Sequence, residues 1–179
     1  MSGFVAIVYA AVTKSETILT LIHDSFPVEP VPRRFFLESA RISSYDDIAE
    51  ELRNRIAQRR WTDVTIMDWR MTGATPSTCR YYVEPETFLY YVPSLIVGVI
   101  GDIEWIEVAL DGIVPYNKER RPRGKWWAAF LEGASIRQRT ALSAFLEYIR
   151  IFHWDSIGIA NQVLLSEAEV IWPTLGGKS

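Results

Sequence analysis

The chain has 179 residues, 49% of them apolar and 23% charged, with 19 lysines and arginines against 22 acids. That length supplies one sizeable core and a single domain, and the composition excludes a disordered chain. The small net charge of −3 argues against general coating of nucleic acid, and one cysteine with two histidines leaves no disulfide and no expected zinc site.

The chain opens on an apolar run, Phe4 to Val12. It is about half the length of a membrane span and lacks the basic region of a signal peptide. The expectation is a short buried strand or an extension of the first helix, in a cytoplasmic protein with no membrane partner. Thr13-Lys14-Ser15-Glu16 has the form of a capping box. Ile18, Leu21, Ile22 and Phe26 follow at helical spacing, which predicts a helix from Lys14 to Ser25. Pro27, Pro30 and Pro32 then break regular structure, and residues 27–43 are expected to be a connection whose Phe35, Phe36 and Leu37 tuck onto the core.

Ser44-Tyr45-Asp46-Asp47 starts the next predicted helix, with acids at the positive dipole end and Arg53, Arg55, Arg59 and Arg60 towards the other. Ile48, Leu52 and Ile56 mark its buried stripe, and Glu51 and Arg55 form an i,i+4 pair. The arginine cluster is either an anion-binding patch or a solvated helix end; the charge pattern favours the second. In Trp61–Trp69 helix and strand propensities are balanced, and start signals at Thr62 and Asp63 favour a short helix. Gly73, Pro76 and Ser77 read as a loop.

Glu84-Pro85 opens the longest apolar segment, with Pro85 at a first helical position where no N–H is needed. A central helix from Pro85 to Ile100 is predicted, with Phe88, Val92, Leu95, Ile96 and Val99 as its core stripe. Pro93 cannot donate to the carbonyl of Leu89, so a kink or split is expected there. Tyr90 and Tyr91 project about a third of a turn apart, which is expected to expose one phenol or give it a polar partner.

Downstream, Ile103, Ile106 and Leu110 face one way and Glu104, Glu107 and Asp111 the other, with Gly112 as a stop. Residues 112–125 read as a loop carrying Lys118, Arg120, Arg121, Arg123 and Lys125 against Glu119, followed by Trp126 and Trp127. Ser135-Ile136-Arg137-Gln138 is a second capping box. It introduces an amphipathic helix with Leu142, Phe145, Leu146, Ile149 and Phe152 inside, and Arg137, Arg139, Ser143, Glu147 and Arg150 largely outside. A last helix is predicted from Ser156 to Ile171, with residues 172–179 as a flexible tail.

No phosphate-binding loop, dinucleotide fingerprint, nucleophile elbow or paired histidine motif is present. Cys79 with His153 would make a thiol nucleophile and base, but the single neighbouring Arg80 activates it weakly and a structural thiol fits better. His153 is expected to bond the last carbonyls of its helix. The Glu104, Glu107, Asp111 face suits a metal or acid–base chemistry, or is simply solvated. Arg120, Arg121 and Arg123 with Trp126 and Trp127 suit stacked bases and phosphates or a protein interface, against a solvated loop beside core tryptophans.

Three elements carry a family resemblance: Trp61; Glu84-Pro85-Glu86-Thr87-Phe88-Leu89-Tyr90-Tyr91-Val92-Pro93 with its apolar continuation; and Ser135-Ile136-Arg137-Gln138 leading into Ala141-Leu142-Ser143-Ala144-Phe145-Leu146-Glu147-Tyr148. Over residues 45–152 the chain resembles a family of small bacterial proteins, a domain of unknown function, with an aromatic, Tyr-Tyr, Leu-Pro helix and a Gln-Arg, Phe-Leu-x-Tyr helix. Val92 stands where leucine is commoner. The resemblance implies a helical fold and contributes no catalytic residue. The combined expectation is one mainly α domain of five or six helices. No cofactor is expected, and the protein would act by binding another protein in an immunity- or antitoxin-like role. The alternatives are a small enzyme with a pocket beside the Tyr-Tyr-Val-Pro kink, and a nucleic-acid binder through residues 118–127. Candidate surface residues are Tyr90, Tyr91, Arg120, Arg121, Arg123, Trp126 and Trp127.

Overall fold

A proline and glycine pattern that punctuates apolar runs every ten to twenty residues produces short helices folded back on one another. The computed structural model describes residues 2–40, 42–43 and 45–173, with residues 2–12 described by their backbone alone. Among these residues the chain forms nine α-helices and no strand. They are α1 Ser2–Ser25, α2 Asp47–Arg55, α3 Ile66–Arg70, α4 Pro76–Cys79, α5 Pro85–Gly101, α6 Ile106–Ile113, α7 Gly124–Gly133, α8 Ile136–Phe152 and α9 Ile159–Ile171. The mainly helical expectation holds, with more helices than the five or six predicted. The added ones include α4, inside the segment read as a loop, where Thr75 caps the Thr78 N–H and Pro76 sits at a first position. Helix α7 is the other clear addition.

The N-terminal strand alternative is not realised, because the apolar run continues α1 back to Ser2. The predicted box at Thr13–Glu16 lies inside α1 and starts no helix, whereas two other predicted caps recur. Asp46 accepts from the Ala49 N–H and starts α2, while Ser44 lies outside the described residues. Ser135 and Gln138 form the reciprocal box that starts α8. Within residues 61–69 the start shifts: Trp61–Asp63 is a 3₁₀ turn, and Thr65 with Asp68 forms the capping box of α3. A polar side chain three residues on, free to reach back, is present at Asp68, and that reciprocity favours the later start.

Helix α5 is the axis. Eleven of its 17 residues are buried, including all five of the predicted stripe. α6 and α7 pack on it, α1 crosses onto α8 and touches α5, and α9 rests on α6 and α8. One contiguous core joins both halves of the chain, from Ile18 to Trp172. Pro93 does not split α5, which runs unbroken from Pro85 to Gly101. Pro93 is buried, and burial of this apolar helix in the core offsets the weakening that the missing N–H causes. Ser143 also departs from expectation, buried on α8 although read as part of the polar face. Trp172, assigned to a tail, is 1% exposed; its indole N–H donates to the Ile113 carbonyl at 3.0 Å. Residues 174–179 of that predicted tail lie outside the described residues.

Close approach of α3 to α5 requires a glycine at position 98. A Cβ there would lie 2.7 Å from the Cβ of Ile66, an atom with no torsional freedom to retreat. Gly98→Ala is therefore expected to lower stability by about 1–3 kcal/mol through overpacking, against the usual gain of up to about 1 kcal/mol for Gly→Ala in a helix. Gly101→Ala meets nothing within 4 Å and should not destabilise. Urea midpoints of the two variants measure the contrast.

Candidate functional site

The proline-rich connection becomes one wall of a groove. It leaves α1 at Phe26, whose N–H still bonds the Ile22 carbonyl at 3.0 Å, and Pro27, Pro30 and Pro32 prevent it from coiling further. Its carbonyls are taken up by side chains from elsewhere. The Trp61 indole N–H donates to Phe26 at 3.2 Å, the Tyr90 hydroxyl to Val28 at 2.7 Å and the Thr87 hydroxyl to Arg34 at 2.6 Å. The first turns of α5 form the second wall, and Ala129, Gly133 and Gln138 at the α7–α8 corner form the third. The volume of this open groove is about 860 Å³. Arg34 bridges to Glu84 at 3.1 Å and to Glu38 at 2.5 Å, and Arg60 outside the groove holds Glu29 at 2.7 Å.

Of the seven predicted surface residues, only Tyr90 lines this groove. It is half-buried, and its oxygen also accepts the Trp61 backbone N–H at 3.3 Å. Tyr91 is 0% exposed and donates to the Arg59 carbonyl at 2.8 Å. Its burial follows from facing the irregular segment between α2 and α3 rather than solvent. Burial raises the pKa of both phenols. Trp127 is buried at 8% exposed, and Trp126 is half-buried with its indole N–H donating to Val83 at 2.9 Å. Both rings flank the Arg80 guanidinium, at 5.8 Å and 4.9 Å. These tryptophans are core, because the chain turns at Gly124 (φ +85°) and starts α7 beneath them. Arg120 lies over the Tyr116 ring at 5.4 Å, Arg123 is 3.7 Å from Glu119, and Arg121 is exposed.

The other candidates are dispersed. Glu104 and Glu107 are exposed. The Asp111 carboxylate instead accepts the Ser77 N–H at 2.7 Å, at the start of α4. Neither these acids nor His153 lines the groove, and no group of three or more His, Cys, Asp or Glu side chains among the described residues is placed to hold a metal. His153 bonds the Tyr148 hydroxyl at 3.1 Å through Nε2 rather than the helix-end carbonyls; its own backbone N–H reaches Ile149 at 2.9 Å. Burial holds its pKa below the ordinary value. The arginines of α2 and beyond are engaged internally: Arg55 with Glu51, Arg59 with Asp68 at 3.2 Å, and Arg53 over Phe36 at 5.0 Å. Cys79 is 0% exposed, and burial pushes its thiol from 9.0 up to about 12, the reverse of an activated nucleophile.

Arg80 is the residue that spacing arguments missed. It is 7% exposed and donates to the carbonyls of Asp111 at 2.6 Å, Gly112 at 2.9 Å and Val114 at 3.2 Å. It thereby caps the C-terminal end of α6, and burial pulls its pKa down to about 10. The groove residues were also missed as a set, although the density of prolines beside Arg33 and Arg34 was the available signal. No helix among the described residues is long and apolar enough to cross a membrane. Comparison with family models, curated proteins and solved structures finds no match to this chain.

Removing the Arg80 guanidinium leaves three carbonyls short of a donor. Arg80→Met should cost roughly 3 kcal/mol or more, read as a lower denaturation midpoint. At alkaline pH the folded state keeps the Cys79 and Tyr91 protons that the unfolded chain loses, and this contribution to stability falls as pH rises. Arg80, with its lowered pKa, acts in the opposite sense, but the two raised groups together outweigh it. The Cys79 contribution is complete below about pH 9.0 and lost as pH climbs through about 12. Urea unfolding at stepped pH should show this decline, and Cys79→Ala should make it shallower.

Proposed function

We propose that this chain is a non-enzymatic bacterial protein that acts by binding another polypeptide, received in the groove between the proline-rich segment and α5. An immunity- or antitoxin-like role is its concrete form. The groove is the observation that carries this reading. Its volume of about 860 Å³ lies at the upper end of the range for small-ligand sites. Its two main walls are tied together by the Tyr90–Val28 and Thr87–Arg34 hydrogen bonds, so little ordering remains to oppose binding. Glu29 and Glu84, two of its carboxylates, are each held by an arginine, which suits a recognition surface better than proton transfer. The bacterial and immunity-like parts of the proposal rest on the family resemblance, the small size and the mild acidity.

Selection of a phage-displayed random dodecapeptide library against the immobilised protein tests this. Enriched peptides should bind the wild type at micromolar Kd and lose about tenfold or more in affinity to Ala129→Trp, which fills the groove from an exposed position. Binding to Ala160→Trp, exposed on α9, should be unchanged. No enrichment, or binding indifferent to Ala129→Trp, overturns the proposal.

A further inference from the structure

The charges in the groove divide into those already engaged and those that are not. Glu29 is held by Arg60, and Arg34 by Glu84 and Glu38. Arg33, on the proline-rich wall, and Glu86, on the first turn of α5, both line the groove. Neither has a hydrogen-bond or ion-pair partner among the described residues. They stand on different walls and carry opposite signs. The same lining includes the apolar side chains of Pro85, Leu89 and Ala129.

Covering the groove removes water from both side chains, and an unpaired charge taken out of water is costly unless the incoming group replaces its hydration. A purely apolar occupant would strand both charges, and a singly charged one would strand one of them. Size further restricts the choice. A helix about 10–12 Å across would fill about 860 Å³ within roughly two turns, too short to place an apolar run and two opposed charges along one face. An extended chain presents successive side chains to opposite walls, which suits opposite charges carried on two different walls of the groove.

We infer that, within the binding role proposed above, the groove recognises an extended peptide segment with an apolar centre, an acidic side chain that pairs with Arg33 and a basic side chain that pairs with Glu86. The acid meets the guanidinium as a charge-assisted pair on the proline-rich wall, while the base meets Glu86 at the start of α5. The apolar centre covers Pro85, Leu89 and Ala129.

Both charged residues are exposed, so their reversal leaves the core untouched. The dodecapeptide library is selected in parallel against the wild type, Arg33→Glu and Glu86→Lys. Wild-type selections should carry an acid and a base separated by apolar residues. Selections on Arg33→Glu should replace the acid with a base, and those on Glu86→Lys should replace the base with an acid. A synthetic wild-type-selected peptide should lose about tenfold or more in affinity to each variant, as close interfacial charge pairs do. Reversing its matching charge should restore binding. Peptides that lack the charge pair, or that bind all three proteins equally while losing affinity to Ala129→Trp, overturn this inference and leave the groove as a binding site. Binding indifferent to Ala129→Trp, or no enriched peptide, overturns both.

Discussion

Side-chain hydrogen bonds from α5 to backbone carbonyls of irregular segments hold the first half of this structure in place. The residues between α1 and α3 include little regular structure, so their carbonyls need donors from outside. Helix α5 supplies them from successive positions: Thr87 to Arg34, Tyr90 to Val28 and Tyr91 to Arg59. One turn further, Ser94 donates to the Tyr91 carbonyl at 2.6 Å and accepts the Trp69 indole N–H at 2.8 Å. A helix that is apolar on nearly every face belongs at the centre of a bundle. Its few polar atoms then meet whatever lies against it, and here that is loop backbone. The groove exists because this attachment holds a proline-rich strap at a fixed distance from α5.

A second lock joins α4 to α6 through opposite helix ends. The Asp111 carboxylate accepts at the start of α4, where N–H groups are unsatisfied. Arg80, just beyond the end of α4, donates to the carbonyls closing α6. Each helix thus supplies the side chain that completes the other. The two tryptophans beside Arg80 shield this cation from water and give it ring faces in exchange. The same rings join a chain of edge-on contacts from Trp69 through Phe88 and Phe130 to Trp172, which carries the core across the whole sequence.

These two arrangements explain why the basic-aromatic stretch divides as it does. Its arginines lie on the connection before α7, while its tryptophans lie on the first turn of α7 and turn inward to Arg80. Adjacent residues therefore serve different purposes, and composition alone assigns them to one surface. The groove shows the converse. Arg33, Glu86 and Ala129 are far apart in the chain and meet only because α5 draws the strap on one side and α7 on the other.

Local physics in the amino-acid sequence was sufficient for much of the architecture. Periodic apolar residues placed the stripe of α5 and the inner face of α8, and capping side chains three residues apart marked the start of α8, because those effects act within a turn of chain. The helical class followed from them. Tertiary structure decided what depends on neighbours far along the chain. Packing kept α5 continuous through Pro93, buried Tyr91 and Trp127, drew Trp172 into the core, and turned Arg80 into a helix cap. It also converted a run of prolines, legible in the sequence only as a break, into the wall of a groove, since a concave surface requires elements whose separation no local pattern encodes.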